Sequence, residues 1–239
     1  MKELLKIVHF DYLTAKPLTL SKYITAAVIA YVLSVVVSPI AAGYLIFIGM
    51  FMINALSGVG EKSEFNKLYG ILPVKRKNIT RARFLYIFLV MFISELTELL
   101  MAASSFAIKF YRFLPDKSTL AVSIGRKSIE EGKLSAYAFL ILGFAAFCIM
   151  FSYMEMMSSF FGRENEFKII IVTLGVLTVL ILIVNAIINN MDNVVIKIPS
   201  LPKTATGRII AVLVVNIAVF CINVLFGELT ANKVSKREL

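Results

Sequence analysis

Two glutamates three residues apart, Glu95 and Glu98, lie in the middle of an apolar run, residues 85–108. On a helix this spacing places both carboxyl groups on one face. An ionised carboxyl is costly inside a long apolar helix, so the pair must face protein, water or a cavity rather than hydrocarbon. The two side chains can line a path for a substrate or an ion. They can equally hold helices together as protonated or hydrogen-bonded groups, and the sequence leaves both interpretations open.

A third glutamate, Glu155, lies in the methionine-rich stretch YMEMM near the end of another apolar run, residues 136–159. Methionine packs adaptably, so this stretch can form a yielding contact surface, although ordinary helix packing explains it as well. We therefore take Glu95, Glu98 and Glu155 as the candidates for a translocation path.

Other chemistry is not supported by the residue types present. The chain has one histidine, His9, and no phosphate-binding loop, HExxH motif or GxSxG elbow. Its aspartates fall outside the apolar runs, and Cys148 and Cys221 have neither CxxC spacing nor a nearby histidine. We predict that the chain is not an enzyme and holds no metal, cofactor or disulfide of its own.

Composition indicates a membrane protein. Of 239 residues, 59% are hydrophobic and 17% are charged, and the mean hydropathy is +0.85. The apolar residues fall in runs of about 20, the length that crosses a bilayer as a helix. A net charge of +10 is then better explained by cytoplasmic loops and anionic lipid than by nucleic acid.

These runs predict an all-α polytopic membrane protein, a single domain of residues 1–239 with six transmembrane helices. Residues 1–17 predict an amphipathic interfacial helix that leads into the first span. Ser38-Pro39 divides the long uncharged stretch that follows into two spans. The predicted spans are 18–37, 40–59, 85–108, 136–159, 169–188 and 209–226.

The distribution of Lys and Arg predicts the orientation. Sixteen of the 25 fall in the segments that this layout places in the cytoplasm, and nine fall in residues 109–135 and 189–208. Because basic residues near span ends are retained in the cytoplasm, both termini are predicted to be cytoplasmic. Residues 109–135 and 189–207 are then the extracellular segments.

Residues 61–84, EKSEFNKLYGILPVKRKNITRARF, form the most charged stretch of the chain. Phe65, Leu68, Tyr69 and Leu72 recur at helical spacing and predict a short amphipathic helix, which Pro73 ends. Such a basic loop is expected in the cytoplasm. It is either a docking element for a cytoplasmic partner or a helix that lies on lipid headgroups.

The stretch YGILPVKR, followed by Ile79 and then RFLY, resembles type-2 ABC-transporter permeases, which typically carry LPV-(S/K)-R after a charged helix. The six-span plan and the leading amphipathic helix resemble this family as well. Among its members the chain is most similar to the small permeases of phenol-soluble-modulin type peptide exporters. Lys75 stands where serine is common.

The resemblance implies a bacterial cytoplasmic-membrane exporter for an amphipathic peptide or a hydrophobic compound. Two permease chains, identical or different, would pair with two ATP-binding subunits, which bind the ATP and Mg. The loop between spans two and three would be the coupling helix. Its partner-binding residues would be Glu61, Glu64, Phe65, Leu68, Tyr69, Leu72, Pro73, Lys75 and Arg76.

Two alternatives belong to other classes. An ATP-independent carrier or channel would use the intramembrane glutamates as a proton or cation relay and would not need a docking loop. A membrane immunity or sensor protein would use the loop to bind a signalling partner. An ATPase reading frame beside this one would favour the exporter.

Overall fold

The computed structural model describes residues 2–46, 49, 53, 75–110, 133–162, 165, 168, 169, 171–173, 175, 201, 202 and 204–236. These residues are almost entirely helical, and no strand occurs among them. The long helices are α1 (Lys2–Val36), α2 (Arg76–Ile108), α3 (Lys133–Phe161) and α4 (Ala205–Lys236), and a short 3₁₀ helix spans Pro39–Gly43. The all-helical class predicted from the sequence is therefore confirmed for this part of the chain.

Helix α2 is the centre of the bundle, because it packs against α1, α3, α4 and the 3₁₀ helix. Its buried face carries Ala82, Tyr86, Ile87, Val90 and Met91. These side chains form one core with residues of the other elements, among them Ile7 and Val8 of α1, Phe144, Cys148 and Phe151 of α3, and Val219 of α4. A second, smaller cluster around Phe106 and Leu140 joins α2 to α3 and the 3₁₀ helix.

Three described helices are long and apolar enough to cross a membrane: Lys77–Ile108, Ala136–Phe161 and Thr206–Val234. Residues Leu20–Val36 of α1 form a shorter apolar helix. Large hydrophobic side chains are exposed on the outer faces of these helices, for example Val28 and Leu213. Exposed apolar faces of this kind match the lipid-facing surface of a membrane helix.

The contacts between helices give their directions. Tyr23 of α1 meets Ser94 of α2, and eleven residues further along both helices the Ser105 hydroxyl donates to the Ser34 carbonyl, so α1 and α2 are parallel. Helix α4 runs against α2, because Arg81 and Glu95 of α2 bond Glu228 and Asn216 of α4.

Helices α3 and α4 run in the same direction, because Ser152 pairs with Asn223 and Phe160 pairs with Lys233. These directions are the ones that the six-span order requires. Most of the second and fifth predicted spans lies outside the described residues, so the number six stays a prediction.

The predicted break at Ser38-Pro39 is present. Helix α1 ends at Val36, and Ser38 is extended with φ −166° and ψ 140° before Pro39 starts the 3₁₀ helix. A residue before proline is driven to this conformation by the proline ring. The predicted end of the third span at Ile108 also agrees with the structure, since Lys109 adopts a left-handed conformation with φ 58° and closes α2.

Three boundaries differ from the sequence-based prediction. One is the end of α4, which runs to Lys236, ten residues beyond the predicted end of the sixth span at 226. The leading helix 1–17 and the first span 18–37 form one continuous helix, α1, and its residues Ile7 and Val8 are buried in the protein core rather than against lipid. Helix α2 begins at Arg76, nine residues before the predicted span, because no helix breaker follows Pro73 and ion pairs satisfy its basic first turns.

Candidate functional site

The two glutamates of α2 are the most buried acidic side chains at the centre of the bundle. Glu95 and Glu98 are both 0% exposed. They lie about 18 Å and more along the helix from Arg83, since a helix rises about 1.5 Å per residue. The structure thus brings the predicted pair together on the protein-facing side of α2, away from lipid.

Glu95 has a partner that lies 121 positions away in the sequence. The side-chain amide of Asn216 on α4 donates to Glu95 Oε1 at 3.2 Å, and the same nitrogen donates to the Val212 carbonyl at 3.0 Å. Asn216 is itself 8% exposed. The sequence analysis did not select Asn216, although a lone asparagine inside the apolar run 209–226 is a signal that could have identified it.

The carboxyl group of Glu98 is the less satisfied of the two. Neither of its oxygens has a hydrogen-bond partner among the described residues. The backbone amide of Ile46 faces this carboxyl group without completing a hydrogen bond of normal geometry. Glu98 is therefore a fully buried acceptor that no described donor satisfies.

Small and polar residues pack beside the pair. The Tyr23 hydroxyl of α1 lies 3.1 Å from Ser94 Oγ, and Ser94 also donates to the Val90 carbonyl at 3.0 Å. A Cβ added to Gly49 would lie 3.0 Å from Ser94 Oγ. The glycine therefore permits the close approach of its segment to α2 that the sequence suggested for small residues in a membrane.

Glu155, the third candidate, does not join this pair. Its Oε1 lies 3.4 Å from Arg83 Nη1, near the start of α2. Beside this ion pair, Arg81 Nη2 donates to Glu228 Oε2 at 2.8 Å, and Arg81 Nε lies 2.7 Å from Glu228 Oε1 without the alignment of a hydrogen bond. Glu155 thus belongs to a charged layer at one end of the bundle.

Further contacts extend this charged layer to α1 and between α3 and α4. The amide of Asn78 donates to Glu3 at 3.1 Å, and the Lys233 ammonium lies 3.9 Å from the centre of the Phe160 ring. Lys77 lies 3.5 Å from the Asn232 oxygen. We call Glu3, Lys77, Asn78, Arg81, Arg83, Glu155, Glu228, Asn232 and Lys233 the polar collar. It ties the first turns of α2 to the other three long helices.

The predicted coupling helix falls mostly on residues that the structure does not describe. Glu61, Glu64, Phe65, Leu68, Tyr69, Leu72 and Pro73 lie outside the described residues. Lys75 is exposed and occupies the N-cap position of α2 without a side-chain capping bond, and Arg76 is the first residue of that helix. The predicted partner-binding stretch therefore leads directly into α2.

The described residues contain no group of three or more His, Cys, Asp or Glu side chains placed to hold a metal ion. Cys148 is buried and Cys221 is exposed, and both are free thiols. The chemistry available at the centre of the bundle is that of buried oxygen acceptors. Such acceptors are satisfied by protons, by water or by a hard cation.

Comparison with protein-family models, with curated proteins and with solved structures gives no match to this chain. The fold and the site define its class. It is an all-helical protein whose described part has three helices long and apolar enough to cross a membrane, with a carboxyl pair buried between them.

Proposed function

We propose that the chain is the membrane-spanning permease subunit of an ATP-driven exporter, which moves an amphipathic peptide or a hydrophobic compound out of a bacterial cell. The residues that support this are YGILPVKR and RFLY, which resemble the loop after the second span of type-2 ABC-transporter permeases. The helix directions support the same plan, because they agree with six spans and two cytoplasmic termini.

One structural observation supports the proposal: α2, which begins at Arg76 immediately after the stretch whose sequence resembles a coupling helix, is the central helix of the bundle. The first turns of α2 hold the polar collar, in which Arg81 binds α4 and Arg83 binds α3. A partner that pushes on the segment before Lys75 would therefore move α2 and, through these bonds, its neighbours.

In this mechanism two permease chains pair with two ATP-binding subunits. Phe65, Leu68 and Tyr69 pack into a groove of the ATPase, and ATP and Mg are bound by that subunit. ATP binding biases the helices between an inward-open and a closed arrangement. The chain itself performs no hydrolysis.

The test is purification of the tagged full-length chain from its native membrane, followed by mass spectrometry and an ATP-hydrolysis assay. The expected result is a complex that contains an ATP-binding subunit and hydrolyses ATP. If the folded chain is purified without an ATP-binding subunit and the sample hydrolyses no ATP, the exporter proposal is refuted.

A second function is favoured by a different observation, the complete burial of Glu95 and Glu98. An ATP-independent carrier would use these carboxyls as a relay and would transport along an ion gradient. Vesicles that contain the purified chain alone distinguish the two. Gradient-driven transport without ATP supports the carrier, and its absence together with ATP-dependent transport by the complex supports the exporter.

A further inference from the structure

Four buried oxygen atoms around the middle of α2 accept hydrogen bonds but have no donor among the described residues. They are Glu95 Oε2, both carboxyl oxygens of Glu98, and Asn216 Oδ1. The oxygens belong to neighbouring groups, since Asn216 bonds Glu95 at 3.2 Å and Glu98 follows Glu95 by three residues on the same face. Asn216 Oδ1 is a second, non-acidic acceptor, because the Asn216 nitrogen is already bonded to Glu95 and Val212.

Buried acceptors without donors are unfavourable, and an unpaired buried charge is more so. No described Lys or Arg side chain forms an ion pair with either carboxyl of this pair. Two carboxylates this close, out of contact with water, cannot both carry a charge at acceptable free energy. The set therefore needs a positively charged ligand.

We propose that Glu95, Glu98 and Asn216 form a proton-binding site at the centre of the bundle, with Glu95 beside α4 and Glu98 beside Tyr23 and Ile46. On binding, an O–H bond forms between the proton and one carboxyl oxygen. On release the same bond breaks and the proton passes to water, with no electron transferred. A proton on Glu98 converts an acceptor without a partner into a hydrogen-bond donor. A neighbouring carboxylate or amide oxygen can accept that hydrogen bond.

A proton fits this site better than a metal ion does. Hard divalent cations take six or more oxygen ligands, whereas the site offers two carboxyl groups and one amide oxygen, and the described residues hold no third acidic group placed for a metal. A single proton needs one oxygen to which it is bonded and one oxygen that accepts its hydrogen bond. Proton binding thus lowers the buried charge of the site without a set of metal ligands.

The neighbouring elements present few groups that titrate or carry charge. Tyr23 of α1 and the backbone of Ile46 lie beside Glu98, and Cys148 of α3 lies near Glu95. The nearest basic residues along α1 and α4 are Lys22, which is exposed, and Arg208, which lies about 12 Å along α4 from Asn216. No described cationic group competes with a proton for the two carboxyls. Release of the proton would leave two buried charges and so favours separation of α2 from the elements packed against the pair.

The inference does not depend on an ATPase partner, so its failure and that of the exporter proposal are distinguishable. The experiment is pH-difference infrared spectroscopy of the full-length chain in lipid vesicles, with wild type, Glu98→Gln, Glu95→Gln and the control Glu155→Gln. We expect the wild type to lose, as pH rises, a carbonyl-stretch band at the frequency of an unhydrated carboxylic acid. The band should be absent or displaced in the first two variants and unchanged in Glu155→Gln.

Labelling the wild type with ¹³C-glutamate keeps the test valid if a variant does not fold, because it shifts the band only if a glutamic acid produces it. A band that never changes with pH, or a complete absence of such a band, would overturn the proposal.

Discussion

Asn216 of α4 donates a hydrogen bond to Glu95 of α2 across the centre of the bundle, at 3.2 Å and with both side chains buried. This bond joins α2, the central helix of the bundle, to α4, the last described helix. It also defines the polar surroundings of the carboxyl pair.

A double-mutant cycle measures this bond. We expect Asn216→Ala and Glu95→Ala to be non-additive, with an interaction free energy of about 0.6–1.7 kcal/mol, the range found for hydrogen bonds between membrane helices. The measurement is the free energy of unfolding in micelles. Thr25→Ala is the control, because the Thr25 hydroxyl bonds only the Ser21 carbonyl of its own helix. Additive losses for Asn216 and Glu95 would contradict the bond.

Gly49 gives a prediction with a matched control inside the chain. A Cβ at Gly49 would lie 3.0 Å from Ser94 Oγ, whereas a Cβ at Gly143 meets nothing within 4 Å. We expect Gly49→Ala to lower the free energy of unfolding by about 1–3 kcal/mol through overpacking. Gly143→Ala should be neutral or slightly stabilising because alanine favours the helix. Equal effects of the two variants in thermal unfolding would refute the close approach.

Two double substitutions distinguish the role of the charge on the carboxyl pair from the role of its hydrogen bonding. Glu95→Gln/Glu98→Gln keeps an acceptor for Asn216, so we expect normal assembly with reduced export. Glu95→Leu/Glu98→Leu removes the bond from Asn216 to α2, leaves the amide with only the Val212 carbonyl of its own helix, and should lose about 1–3 kcal/mol of stability. Gel filtration and an export assay give the two readouts. Wild-type export by the Gln pair, together with poor assembly of the Leu pair, would assign the carboxyls a structural role alone.

The docking prediction rests on residues outside the described part of the chain. Phe65→Ala/Tyr69→Ala should uncouple ATP hydrolysis from export while membrane insertion persists, because buried aromatic anchors contribute about 2 kcal/mol or more to an interface. ATPase activity and export are measured side by side. Normal co-purification and normal export of the double mutant would show that this face is not the ATPase contact.

The orientation prediction uses both ends of α2. In a cysteine-free background, Lys109→Cys and Ser128→Cys should react with an impermeant thiol reagent added to intact cells, and Lys75→Cys and Ser63→Cys should not. The reason is that Lys75 and Lys109 flank a helix long enough to cross the membrane, with the basic end predicted inside. Reaction of Lys75→Cys from outside would reverse the topology.

The sequence by itself determined the features that depend on local chemistry. Apolar runs located α2, α3 and α4, because only long apolar helices satisfy their backbone in hydrocarbon. Most of the predicted ends lie within a few residues of the observed ones; the exceptions are the start of α2 and the end of α4. The break at Ser38-Pro39 followed from the steric effect of proline on the residue before it. The spacing of Glu95 and Glu98 placed both on one face, and the cost of lipid exposure placed that face inward.

Only the tertiary structure decided which distant groups meet. Asn216 became the partner of Glu95 through packing of helices whose contacting residues are 121 positions apart, and Glu155 joined Arg83 instead of the pair. The hydropathy pattern likewise did not predict that α1 is one continuous helix with Ile7 and Val8 in the core. The physical reason is that lipid and protein interiors are equally apolar, so hydropathy does not tell a packed face from a lipid-facing one.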